Sequence, residues 1–214
     1  MNKKLKIALI FLLEIAIDAI VIFGIFFLIK TYVISPFEIY GPSMCNTFNY
    51  IDGKCNSGYG EYIIINKLGK INRGDVVVFH PPHEEEYYIK RVIGMPNDTI
   101  LVKNGEIFLK ENGKEYKFVE PYLSRENRGN TTTFGIKRTE IKVPENSYFL
   151  IGDNRLMSTD GRTCFKDPSS NGCSNPNNAF VPEENIQGRA WVALWPINKM
   201  QIVPRIGNYD FKEM

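Results

Sequence analysis

The chain has 214 residues, with 26 Lys and Arg against 24 Asp and Glu, so a formal net charge of +2 gives no reason to expect nucleic acid or an acidic substrate as partner. That length accommodates one membrane anchor and one domain with a real core, and the absence of internal repeats excludes a solenoid or array.

The first element is an apolar run over residues 7–29, whose 23 residues at about 1.5 Å each give roughly 35 Å, enough to cross a hydrocarbon layer of about 30 Å. The run is too long for the core of a cleavable signal peptide, and Lys30-Thr31-Tyr32-Val33 offers no small-x-small cleavage site, so it reads as a spanning helix. Lys3, Lys4 and Lys6 precede it, which by the positive-inside rule keeps the N-terminus in the cytoplasm and sends the rest outside; Lys30 alone weakly opposes this. Glu14 and Asp18 lie one turn apart on one face of the span. Either they meet another membrane helix, or they stay protonated or reach toward the headgroups.

Beyond the anchor, β-branched and period-2 runs dominate, predicting an all-β, mostly antiparallel sheet or barrel ectodomain over residues 35–214, behind an N-terminal segment 1–34. Residues 37–39 are extended. Strands are expected at 62–66, 75–79, 87–93, 99–102, 106–110, 115–119, 136–143, 147–151, 189–194 and 200–203. Asn104-Gly105 and Asn112-Gly113 carry the positive φ preference of type I′ turns and predict a three-stranded meander, part of a hairpin lobe inserted over about 100–146. Residues 123–134 and 163–178, rich in polar and turn-forming residues, read as surface loops.

All four cysteines, Cys45, Cys55, Cys164 and Cys173, fall on the outer side, where thiols tend to form disulfides. The short-range choice among three pairings joins Cys45 to Cys55 and Cys164 to Cys173. A zinc site is the rival, but the usual close cysteine spacing is missing. The two histidines, His80 and His83, flank prolines beside Glu84, Glu85 and Glu86, an arrangement that suits a solvated turn better than a catalytic triad or a metal site.

With histidine doubtful, a lysine has to be considered as general base, which requires its pKa to fall from about 10.4 toward 8 or below. Alternation over residues 87–93 sets Lys90 on one face with Tyr88 and Val92, an apolar neighbourhood able to do this; an exposed strand lysine is the commoner case. Ser43 sits in Tyr40-Gly41-Pro42-Ser43-Met44, a turn that can present a hydroxyl together with a backbone N–H, or use that hydroxyl only as a cap.

Four segments in order, over essentially the whole chain, resemble the type I signal peptidase family. Gly41-Pro42-Ser43-Met44-Cys45-Asn46-Thr47 is similar to its nucleophile box, and Arg73-Gly74-Asp75-Val76-Val77-Val78-Phe79 to the strand box that follows. Tyr88-Ile89-Lys90-Arg91-Val92-Ile93-Gly94-Met95-Pro96-Asn97-Asp98 is similar to the general-base box. Gly152-Asp153-Asn154-Arg155 with Ser158, Asp160 and Arg162 resembles the last.

The resemblance implies an endopeptidase that removes signal peptides from exported preproteins at the outer membrane face, with no cofactor and no metal. It assigns Ser43 as nucleophile, Lys90 as base and Ser158 as the group that hydrogen-bonds and orients the Lys90 ammonium. Arg91 with Asp153, and Asp160 with Arg162, become ion pairs that fix the site. Phe37, Ile39 and Ile89 line shallow apolar pockets for small residues before the cut, the substrate lying as an added strand.

Several positions depart from the pattern: Asn46 replaces a proline, Gly41 offers no serine hydroxyl to the oxyanion hole, and Asn97 and Gly161 replace Gly and Ser. The stretch to Tyr62 is longer than usual and contains Cys55, so a Cys45–Cys55 bond either stiffens the nucleophile turn in place of proline or simply staples an insertion. A catalytically inactive binding or assembly subunit, and a maturase restricted to pilin-like or secretion-system substrates, are the competing functions.

Overall fold

The structure is a computed structural model that describes residues 2–45, 47–133, 140–166, 173, 175–205 and 212–213. It opens with helix α1 (Lys3–Leu28), capped by the Asn2 side chain, and a π-helical turn (Ile29–Val33). Lys3–Val33 together make a helix long and apolar enough to cross a membrane, with no buried residue in α1; Glu14 and Asp18 lie exposed along it.

Among the described residues fifteen strands follow: β1 (Ile34–Tyr40), β2 (Tyr50–Ile51), β3 (Lys54–Cys55), β4 (Tyr59–Asn66), β5 (Val76–Phe79), β6 (Tyr88–Gly94), β7 (Thr99–Lys103), β8 (Glu106–Glu111), β9 (Lys114–Lys117), β10 (Glu140–Lys142), β11 (Ser147–Ile151), β12 (Val181–Pro182), β13 (Ile186–Trp195), β14 (Gln201–Ile202) and β15 (Lys212–Glu213). The fold is thus mainly antiparallel β behind one apolar helix. The main sheet runs β1-β4-β13-β5-β6-β11-β12, with β14 added beside β13. A second sheet runs β10-β7-β8-β9-β15, and β2 with β3 forms a separate hairpin.

The unbroken apolar run of β5 follows from its place between β13 and β6, where both faces are covered. The β7-β8-β9 meander turns at Asn104-Gly105, with φ of 52° and 76°, and at Asn112-Gly113, with φ of 51° and 77°. Both pairs therefore adopt the left-handed conformations that type I′ turns require.

Among the described residues the apolar side chains gather in three cores. Ile93, Ile100, Ile107, Ile141, Phe149 and their neighbours join the two sheets. Val77, Phe79, Val92, Leu150 and Phe165 fill one face of the main sheet, while Met44, Phe48, Ile63, Val76, Val78 and Ile89 fill the other.

Two expectations need correction. The segment 163–178 is not simply a surface loop: after a turn at Gly161–Lys166, Cys164 and Phe165 are fully buried, and Phe165 packs edge-on against Phe79 with ring centroids 5.4 Å apart. Likewise, in the segment 123–134, Leu123, Asn127 and Thr131 are buried. Polar composition marks irregular backbone, but the few apolar or hydrogen-bonding side chains within it anchor each loop to the sheets. Positions 134, 136–139, 167–172 and 174, and with them much of the expected strand 136–143, lie outside the described residues.

Candidate active site

The turn after β1 folds back across the main sheet because Met44 and Phe48, each 1% exposed, sink into the core with Ile63 and Val78. Burying two such side chains contributes about 2–3 kcal/mol each, enough to hold a turn with little regular structure of its own. Gly41 enters the turn at φ +81°, which disfavours any residue with a Cβ. Asn49, fully buried, donates to the carbonyls of Ile39 (3.2 Å) and Gly41 (3.1 Å) and exchanges hydrogen bonds with Glu61.

From the other side, Asn154 donates through its backbone N–H to the Ser43 carbonyl (3.0 Å) and through Nδ2 to the Pro42 carbonyl (3.1 Å). A Cβ on Gly152 would come within 2.6 Å of the Ser43 carbonyl and collide with Ser158 Oγ, so only glycine permits this close approach. The Ser43 N–H donates to no carbonyl among the described residues.

Lys90 lies in β6, paired with Val77 of β5, and is 3% exposed. Strand β11 pairs β6 only from Arg91 onward, which leaves the flank of residues 88–90 open. There the Lys90 amine donates to Ser43 Oγ at 2.8 Å and to the Ile89 carbonyl at 2.9 Å, and it stands 5.2 Å from the Tyr88 ring centroid. Burial pulls its pKa down to about 8, against the attraction of Asp160 and Asp153 and with the help of Arg162. At 2.8 Å a proton can pass between hydroxyl and amine, and near neutrality a useful fraction of the amine is uncharged.

The charged neighbours form tight pairs. Arg91 Nε and Nη2 donate to Asp153 at 2.8 and 2.5 Å, Nη1 donates to the Gly74 carbonyl, and the guanidinium stacks 3.9 Å from the Tyr122 ring centroid. Thr47 also donates to Asp153. Arg162 donates twice to Asp160, at 2.9 and 2.8 Å, and Asp160 accepts from the Gly152 N–H at 3.0 Å. Burial works to raise the Asp160 carboxyl, but the Arg162 charge and these hydrogen bonds outweigh it and hold the group below the ordinary carboxylate range.

Two assignments change. The hydrogen bond from Lys90 to Ser158 is not made: the amine donates to Ser43 and Ile89, and Ser158 Oγ, packed against Gly152, is buried without a hydrogen-bond partner of good geometry, although it lies near enough to Asp160 to favour its charged form. Phe37 and Ile89 line the cleft above Ser43, a hollow of about 860 Å³ also bounded by Tyr40, Tyr87 and Met157. Ile39, by contrast, is 1% exposed and belongs to the core beneath it, covered by the returning Met44 and Phe48.

Cys45 bonds to Cys55 and Cys164 to Cys173, with Cα atoms 5.7 and 5.3 Å apart. Asn46 lies outside the described residues. Neither histidine lines the cleft; His80 stacks on Tyr87 with ring centroids 3.9 Å apart, and His83 Nε2 lies 3.1 Å from the Phe165 carbonyl.

Sequence reasoning missed the supports supplied by Asn49, Asn154 and Arg155. Arg155, fully buried, holds Glu120, the Thr131 hydroxyl (2.6 Å) and the Gly152 carbonyl (3.1 Å), which ties the irregular segment after β9 to the loop behind Ser43. Its place in a run with Asp153 and Asn154 was the available signal, but the partners lie 24 and 35 residues away.

A hydroxyl set against a buried amine at the foot of an open cleft, on a β scaffold, is the equipment of the serine endopeptidases. The sequence matches the family described as "Signal peptidase, peptidase S26" over residues 12–195, and the chain belongs to that family. It is 32% identical over 178 residues to a signal peptidase I of Bacillus licheniformis, covering 81% of this chain and 83% of that protein. It is also 31% identical over 208 residues to signal peptidase I U of Bacillus subtilis (strain 168), covering 94% and 95%. A similar match is signal peptidase IB of Staphylococcus aureus (strain N315), 30% identical over 206 residues and covering 89% and 93%. A solved signal peptidase I from Enterococcus faecalis V583 matches 56% of this chain and 97% of its own, at 24% identity and a TM-score of 0.40.

Proposed function

We propose that this chain cleaves signal peptides from exported preproteins at the outer face of the cytoplasmic membrane, with Ser43 as nucleophile and Lys90 as general base. The observation that carries the reading is the 2.8 Å contact between a hydroxyl and an amine dried out by burial, at the floor of a cleft of about 860 Å³.

Ser43 Oγ attacks the scissile carbonyl while the neutral Lys90 amine takes its proton. The Ser43 N–H stabilises the oxyanion that forms. The C–N bond then breaks as the Lys90 ammonium returns the proton to the departing amine, leaving the signal peptide as an ester on Ser43. Water, deprotonated by Lys90, hydrolyses that ester and restores the hydroxyl. The peptide before the cut lies along the open flanks of β1 and of residues 88–90, with small side chains against Phe37 and Ile89.

In this reading residues 1–34 form the cytoplasmic tail and anchor and residues 35–214 the peptidase domain, with 100–146 as an inserted lobe. Lys3, Lys4 and Lys6 support a cytoplasmic N-terminus. Ser43 stands ten positions past Val33 (43 − 33), so the chain can reach at most about 35 Å beyond the helical segment, within range of a substrate still in the bilayer.

The test is cleavage of a model preprotein by the full chain in detergent micelles, as wild type, Ser43→Ala and Lys90→Ala. Cleavage by wild type alone is expected. Full activity in either variant ends the dyad assignment, and inactivity of all three forms favours a non-catalytic binding subunit.

A further inference from the structure

A second groove adjoins the cleft, with Met157 lining both. It has a volume of about 400 Å³ and runs between the β2–β3 hairpin and the loop at residues 124–127. Met157 borders both hollows, and Asn154, which holds the Ser43 and Pro42 carbonyls, forms part of the groove's wall.

Both walls are built rather than incidental. The Cys45–Cys55 disulfide ties the hairpin to the nucleophile turn. Opposite, the buried Asn127 accepts from the Leu156 N–H at 3.1 Å and donates to Ser124 Oγ at 2.8 Å, which fixes the loop beside the catalytic segment. The two hollows differ in charge. Lys54 and Arg125 line the groove with Glu126, and neither cation forms an ion pair among the described residues, whereas Glu38 and Glu86 line the cleft before Ser43 with Lys90.

Resting on the peptidase reading above, we propose that this groove receives the first residues after the scissile bond, and that Lys54 and Arg125 select mature chains carrying an acidic residue within their first few positions. The polarity of the whole cleft, negative before the cut and positive after it, then sets the direction in which a peptide lies. Because these side chains are solvent-exposed, each contact is worth only a few-fold in rate and weakens with salt.

The experiment uses the full chain in detergent micelles and preproteins identical up to the cut, with Asp, Ala or Lys placed together at the second to fourth mature positions. For wild type, kcat/KM is expected to be about fivefold higher for the Asp than for the Lys substrate at low salt, with the gap closing as salt is raised. Lys54→Glu with Arg125→Glu should invert that ratio, and Glu126→Gln should widen it. The ratio within each variant carries the result, so a general loss of folded enzyme does not mimic it. Equal rates in wild type, or the same ratio in the charge-reversed protein, overturn the subsite. Cleavage of the Ala substrate by wild type but not by Ser43→Ala, alongside such equal rates, shows that the subsite fails while the peptidase reading stands; cleavage by Ser43→Ala overturns both.

Discussion

Replacing Lys90 with methionine should leave the protein about 1 kcal/mol more stable than wild type at pH 7 and about 1 kcal/mol less stable at pH 9.5. Burial lowers the Lys90 pKa from 10.5 to about 8, so at pH 7 the folded state must either keep a charge in an apolar site or give up a proton that the unfolded chain would hold. Between pH 8 and 10.5 the unfolded state binds the extra proton, so wild-type stability rises with pH across that window. The penalty carried by wild type is about 3 kcal/mol at pH 7, about 1 kcal/mol at pH 9.5, and close to zero above pH 11. Methionine removes this penalty but also loses the bonds to Ser43 Oγ and the Ile89 carbonyl, worth about 1 kcal/mol each at any pH. The quantity to measure is therefore the change in the gap between the two proteins, expected to be about 2 kcal/mol between pH 7 and 9.5. Urea unfolding of both full chains in detergent at the two pH values supplies it. A gap that does not move with pH refutes the claim that the amine is desolvated.

Catalysis should follow the same group and, like wild-type stability, rise with pH. With only neutral Lys90 active, kcat/KM falls about fiftyfold from pH 8 to pH 6, and a plateau extending to acid counts against a lysine base. Asp153→Asn strands the buried Arg91 guanidinium and is expected to destabilise by about 3–5 kcal/mol in urea unfolding, whereas a loss below about 1 kcal/mol would show that the pair is not structurally important. Asn154→Ala removes the bond to the Pro42 carbonyl; kcat should drop several-fold with KM nearly unchanged, and a change confined to KM would place its role in binding. Replacing Cys45 and Cys55 with serine should lower stability by about 3 kcal/mol in the chain-entropy model for so short a loop, read from thermal unfolding with and without reductant.

Features decided within a few residues of chain were legible from the sequence alone. The apolar span needs only length and composition, and the Asn-Gly turns need only the tolerance of two residues for positive φ. Strand alternation places Lys90 among apolar neighbours, and the ordered segments resemble one family. Tertiary structure alone decided what crosses the chain. Lys90 loses its water because β5 pairs beside it and the Ser43 turn, 47 residues earlier, packs against its amine. Ile39 left the cleft for the core because Met44 and Phe48 fold back over it, and Ser158 lies against Gly152 while the amine donates elsewhere. Alternation specifies which face a side chain takes; whether that face meets solvent, substrate or another strand depends on residues far away in sequence, whose packing free energy no local pattern encodes.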